Sequence, residues 1–257
     1  MTTRVEQTFD GPIARITLRG DKGVQILSAA TRQRLREVVE DVAKTDCSVV
    51  VFASEGRTFI AGANIDELRA LNEHSAYEDS RAGQRLMNAI ESLPQTTIAA
   101  IHSACAGGGT ELALACDLRF AAEGAKIGLP ETSLGVLPGW GGTVRATQLL
   151  GVATARRLIL TGELILAEEA LRIGLVDGVF LAEQFGSQMK ERIRQILTRA
   201  PQARRRVKHL LAQHAADGSN LEAQYEAEAR AFAECYRTGE PLEGQSAFLE
   251  KRAATWS

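Results

Sequence analysis

Two carboxylates in this sequence stand out by their surroundings. Glu111 follows three glycines in "AGGGTELALACD", and Glu131 follows Pro130 in "KIGLPETSLGVLPGWGGT". A helix beginning near Thr110 puts Leu114, Ala115 and Leu118 on the face of Glu111, three, four and seven positions on. That face is apolar, so Glu111 sits either at a helix end or buried for a purpose. Glu131 taken alone suits the first turn of a surface helix. Two carboxylates in apolar surroundings, however, can hold one acid and one base near neutral pH.

The glycines add a second ingredient. "FASEGRTFIAGANIDEL" and "HSACAGGGTELAL" each read as a strand, a small-residue loop and a helix. Small residues let another molecule approach the main chain, where the first N–H groups of a helix are unpaired and point outward. No nucleophile accompanies them: "GxSxG" is absent, and Ser103 and Ser133 have no histidine–acid partners in sequence. Neither GxGxxG nor GxxxxGK[ST] occurs, which weakens dinucleotide and nucleoside triphosphate readings. The chemistry implied is proton transfer beside a polarised carbonyl.

The elements that must position these groups follow from periodicity. "RVEQTF" and "IARITL" flank "DGP" as a hairpin, with Ile13 and Thr17 among the residues alternating across the sheet. "LSAATRQRLREVVEDVAK" is a helix with Leu35, Val38, Val39 and Val42 as its apolar stripe. "SVVVF" and "TTIAAI" are short, continuously apolar strands, as in a parallel sheet covered on both faces, with helices between them. From about Ala182 the chain reads as helical. A basic block including Arg204, Arg205, Arg206 and Lys208 precedes an acidic one including Glu222, Glu226 and Glu234. Solvated faces, or faces meeting across a subunit contact, account for these blocks.

At 257 residues, 45% hydrophobic and 24% charged, the chain has room for one large domain and an appendage. Its net charge of −2 gives no global pull toward nucleic acid or an anionic membrane. No aromatic residues interleave "RRRVKH", so nucleic acid is not an expected partner. Cys47, Cys105, Cys116 and Cys235 are widely spaced, as in a reducing compartment, and neither they nor the scattered histidines have metal-ligand spacing. With no apolar signal core or spanning stretch, a cytoplasmic protein without metal or membrane association is expected.

The stretches "DKGVQILS", "FIAGANIDEL", "AGGGTELALACDLRFA", "GLPETSLGVLPGWGGT" and "SAFLEKR" together resemble the crotonase superfamily, and within it the enoyl-CoA hydratase/isomerase family, over nearly the whole chain. The resemblance implies an α/β fold: a spiral of ββα units over 1–195, closed by a C-terminal helical region, 196–257, that forms a trimer or a dimer of trimers. It implies an acyl-CoA substrate and no separate cofactor, coenzyme A being part of the substrate. It assigns the oxyanion hole to the N–H groups of Ala63 and Gly108. Glu111 would deprotonate the attacking water and Glu131 donate the α-proton, giving syn hydration of a 2-enoyl-CoA thioester.

Around these groups the resemblance places Ala61, Gly62, Asn64, Ile65, Gly107, Pro130, Leu137 and Trp140 in contact with substrate or coenzyme A. Lys22 and Val24 would line its adenine and phosphate end. Phe248 and Lys251 would be contributed by a neighbouring subunit. Trp140 could limit the acyl pocket or pack beneath its loop as core. The chain departs from the family pattern where "LNAL" reads Val24-Gln25-Ile26-Leu27, where the aspartate of "AGAD" is Asn64, and where "NG" reads His102-Ser103. Another crotonase reaction, such as double-bond isomerisation or methylglutaconyl-type hydration, stays open, as does a silent or RNA-binding relative.

Overall fold

A computed structural model describes residues 2–217 and 220–256. The chain divides into two compact units, residues 1–93 with 97–189, and residues 94–96 with 190–257.

The first unit is built from strands that alternate between two sheets. β1 (Thr3–Asp10) and β2 (Ile13–Gly20) form the expected antiparallel hairpin, with Ala14, Ile16 and Leu18 facing the core. β3 (Val49–Glu55), β5 (Thr96–Ile101), β7 (Leu118–Ala122) and β10 (Gly178–Phe180) extend this sheet in the order β1-β2-β3-β5-β7-β10. Val49, Val50, Val51 and Phe52 are wholly buried, which is why their run lacks alternation. The short strands β4 (Thr58–Ile60), β6 (Ala104–Ala106), β8 (Lys126–Gly128) and β9 (Leu164–Leu166) make a second sheet in that order. β3–β4, β5–β6 and β7–β8 therefore each place one strand in either sheet before the chain leaves for a helix or turn. This is the ββα spiral.

The helices of this unit are α1 (Ala29–Val42), α2 (Ile65–Arg69), α3 (Glu73–Glu91), α4 (Gly108–Ala115), α5 (Gly142–Thr161) and α6 (Ala167–Arg172). Ser28 caps α1 by accepting the Thr31 N–H at 3.1 Å, and Asn72 and Ser75 form a capping box on α3. α1 buries the predicted stripe of Leu35, Val38, Val39 and Val42, and also Thr31 and Arg32. α4 differs from expectation at both ends. It begins at Gly108 rather than near Thr110 and stops at Ala115, so Leu118 opens β7 instead of sharing the Glu111 face. The cause of the stop is Asp117, whose Oδ2 accepts the Thr97 N–H at 2.7 Å and draws the chain onto β5.

The second unit carries α7 (Phe185–Leu197, whose first residues belong to the first unit), α8 (Pro201–Asp217), α9 (Leu221–Cys235) and α10 (Glu240–Leu249). Basic and acidic blocks meet here, Arg206 Nε lying 3.8 Å from Glu234. Glu240 is buried and accepts the Gln202 and Ala203 N–H groups at 2.8 and 3.0 Å, satisfying the start of α8. No helix among the described residues is long and apolar enough to cross a membrane.

Candidate active site

Three successive repeats of the spiral deliver the site. Leaving β4, residues 61–63 are held by the Ala61 N–H donating to the Gln25 carbonyl at 2.8 Å and by the Leu27 N–H donating to the Gly62 carbonyl at 2.9 Å. Leaving β6, the chain turns through Gly107 into α4. Leaving β8, it enters the 3-10 turn Pro130–Leu134, which carries Glu131 in its first turn.

Gly107 has φ 54°, a conformation that a side chain resists, and a Cβ there would fall 3.1 Å from Glu131 Oε1. At Gly108 a Cβ would fall 2.2 Å from the Trp140 ring, so the first turn of α4 can lie on the indole only without one. The Gly128 carbonyl accepts both the Gly107 N–H at 3.0 Å and the Thr110 hydroxyl at 2.7 Å, tying this loop to β8. Among the described residues no protein acceptor takes the N–H of Ala63 or of Gly108.

Glu111, on α4, is 2% exposed. Its Oε1 accepts the Trp140 N–H at 2.7 Å and the Gly142 N–H at 2.8 Å. Burial pushes its pKa up to about 7, the charge of Glu131 adds to the rise, and the two N–H donors and Arg145 oppose it. Burial likewise pushes Glu131 up to about 7. Among the described residues no other residue donates a hydrogen bond to either buried oxygen of Glu131, so its anion lacks the support that Glu111 has. Donors to Glu111 favour its anion. The two carboxyl groups thus share a raised pKa but differ in hydrogen bonding, the main-chain donors falling on Glu111.

Ala61, Gly62, Ala63, Ile65, Gly107 and Gly108 line one side of a cavity of about 550 Å³, and Glu111, Pro130, Glu131, Leu137 and Trp140 line the rest of that predicted set. Asn64 lies just outside it and caps α2, its Oδ1 accepting the Asp66 N–H at 3.0 Å. Lys22 is exposed in the 3-10 turn Asp21–Gly23, its carbonyl accepting from Arg57 Nε at 3.2 Å, and Val24 follows, half-buried. Phe248 and Lys251 belong to the second unit, at the end of α10, with Phe248 82% exposed.

Sequence reasoning passed over Ile26, Leu68, Leu71, Asp79 and Ser80, which also line the cavity. Ile26 and Leu68 fall inside the family stretches without being marked by them, whereas Leu71, Asp79 and Ser80 lie beyond the stretches, in or just before α3. The departures from the family pattern have local employment. Gln25 is wholly buried, donates to the Glu55 carbonyl and accepts from the Thr58 hydroxyl at 3.0 Å. His102 Nε2 pairs with the Gly56 carbonyl at 3.0 Å, and the Ser103 hydroxyl donates to the Arg57 carbonyl at 2.8 Å.

Known proteins share both the sequence and this architecture. The family model described as enoyl-CoA hydratase/isomerase matches residues 8–257. The chain is 32% identical to the short-chain-enoyl-CoA hydratase of Clostridium acetobutylicum, over 95% of this chain and 93% of that one. It is 35% identical to the crotonyl-CoA hydratase of Syntrophomonas wolfei, covering 95% and 94%. The crystal structure of an enoyl-CoA hydratase from Bacillus anthracis superposes with a TM-score of 0.92, at 33% identity and 98% coverage of both chains. A family model that spans residues 8–257, relatives 32% and 35% identical over 95% of the chain, and a spiral shared with a solved structure at a TM-score of 0.92 together place this chain in the enoyl-CoA hydratase/isomerase family of the crotonase superfamily.

Proposed function

We propose that this protein hydrates short-chain 2-enoyl-CoA thioesters, and that the observation carrying this reading is the pair Glu111 and Glu131 lining one cavity with Ala63 and Gly108. The thioester oxygen accepts the N–H groups of Ala63 and Gly108. This draws electron density from the 2,3 double bond and stabilises the enolate-like charge that develops on addition, each donor contributing about 2.7–4 kcal/mol. Glu111, held by two N–H groups through Oε1, accepts a proton from water as its oxygen bonds to C3. Glu131 gives its proton to C2. With both carboxylates on the same side of the bound double bond, water adds syn.

Every atom needed comes from water, substrate and the two carboxyl groups, so the reading requires no cofactor. The apolar walls from Ile26, Leu68, Leu71 and Leu137 suit an acyl chain. Trp140, beneath Gly108, suits a short one. On this reading Lys22 meets the phosphates of coenzyme A as a point charge, and the exposed Phe248 and Lys251 serve the site of a neighbouring copy in a trimer or hexamer.

The test is loss of thioester-conjugation absorbance on mixing the protein with crotonyl-CoA, followed by stereochemical analysis of the product made in deuterated water. Syn-labelled 3-hydroxybutyryl-CoA is expected. Transfer of the double bond without uptake of water would instead make the protein an isomerase.

A further inference from the structure

Trp140 is held from several sides. Its indole lies against the main chain of Gly83 in α3 and Gly108 in α4. Its Nε1 donates to Asp79 Oδ2 at 3.3 Å, and the guanidinium carbon of Arg32 stands 4.4 Å from the ring centroid. Arg32, from α1, also pairs with Asp79 through both terminal nitrogens, Nη1 reaching Oδ2 at 3.2 Å. Arg32 is 7% exposed. Burying such a pair adds little net stability, because desolvation offsets the attraction, but it fixes geometry. The Trp140 carbonyl is fixed as well, accepting from Arg145 Nη1 at 3.4 Å.

The main-chain N–H of this same residue holds Glu111 Oε1. We propose that Arg32 and Asp79 are positioning residues for Glu111: they fix the indole of Trp140 and, through it, the peptide N–H that orients the carboxylate. α1 and α3 thereby control the aim of a group on α4. Neither residue belongs to a motif that marks the site, and Arg32 is not among the residues lining the cavity. The kinetic part of the test rests on the hydratase reading; the titration part does not.

In crotonyl-CoA hydration, Asp79→Ala and Trp140→Phe should each lower kcat about tenfold while KM stays within about twofold. The double variant should fall little further, since both changes break one connection. Asp79→Asn keeps an acceptor for the indole N–H and should recover most of the rate. Because Asp79→Ala strands the buried Arg32, the charge-free pair Arg32→Met with Asp79→Leu provides a second form of the same test. Additive losses, or an unchanged kcat in that pair, would overturn the proposal.

Independently of turnover, the Glu111 carboxyl can be titrated by 13C NMR and assigned by its loss in Glu111→Gln. The other charges facing it, Glu131 on the 130–134 turn and Arg145 on α5, remain in every variant. Glu91 of α3 stays paired with Arg145, β4 carries no charged residue, and Cys105 of β6 is held up to about 12 by burial. A loosened Trp140 N–H should move the Glu111 midpoint to higher pH in the charge-free pair, in which the net charge is unchanged. An unmoved midpoint would overturn the clamp even in a protein with no hydratase activity; absent hydration with a moved midpoint would overturn only the hydratase reading.

Discussion

Lys22 and Lys251 share a left-handed backbone, each with φ 55°, that no other non-glycine residue among the described residues adopts. Lys251 occupies the position after α10 where glycine normally ends a helix: its N–H donates to the Phe248 carbonyl at 3.3 Å and the Arg252 N–H to the Ala247 carbonyl at 3.0 Å. A side chain there costs about 1–2 kcal/mol. Both lysines are also those that the family resemblance associates with coenzyme A.

Strain and charge can therefore be separated at one residue. Lys251→Gly should leave Tm unchanged or raise it slightly, while increasing KM for crotonyl-CoA several-fold and sparing turnover of crotonyl-pantetheine, which lacks the nucleotide. Equal effects on both thioesters would assign Lys251 to the helix end alone.

Removing either carboxyl group should be far more costly. Glu111→Gln and Glu131→Gln should each lower kcat by about 10²-fold or more with the fold intact by circular dichroism. Near-normal hydration by both variants would remove the two-carboxylate mechanism.

The carboxyl groups should also leave a mark on stability. Glu131 rises from an ordinary 4.5 to about 7 because burial disfavours its anion. A raised carboxyl pKa contributes stability below the unfolded value and loses it as pH climbs through the folded one. Glu131→Gln, which cannot ionise, should therefore match wild type at about pH 4 and exceed it in Tm at about pH 8, each kcal/mol being worth about 2–4 °C in a chain of this size. Thermal melts across that range check the sign, and a gain confined to acid pH would contradict it.

Trp140 unites the two roles left open by its position in the sequence: it lines the cavity and is 5% exposed, packed on two helices. Trp140→Ala should accordingly lower Tm and depress kcat/KM for every acyl length, since loss of a buried indole costs about 3–5 kcal/mol. A selective gain for chains longer than four carbons, with Tm unchanged, would make it a removable wall.

Periodicity exposed much of this fold. The hairpin, the apolar run of β3 and the stripe of α1 follow from residue order, because burial on one or both faces leaves its pattern in a strand or helix. The end of α4 did not, since Asp117 stops it through a hydrogen bond to Thr97, twenty residues away in sequence. Arg32 was visible in principle: it lies three positions before Leu35, on the buried stripe, where a charge demands a partner. Its partner is Asp79, at a separation of 47 residues, and no local pattern names it. Motifs likewise disclosed the loops of the site and the start of α2 but not the part of the wall raised by α3.

The order β4-β6-β8 has a dimensional consequence. Ile60 pairs with Cys105, and Ala106 with Gly128, so Ala63, Gly108 and Glu131 emerge just beyond three adjoining strand ends. Hydrogen-bonded strands run about 4.8 Å apart. Donors springing from two such neighbours begin at a separation that one oxygen can bridge with two bonds of about 2.9 Å. On the proposed hydratase reading, the spacing of the two oxyanion donors thus starts from the lattice constant of a β-sheet, and a side-chain substitution that leaves the ladder intact leaves that starting point unchanged.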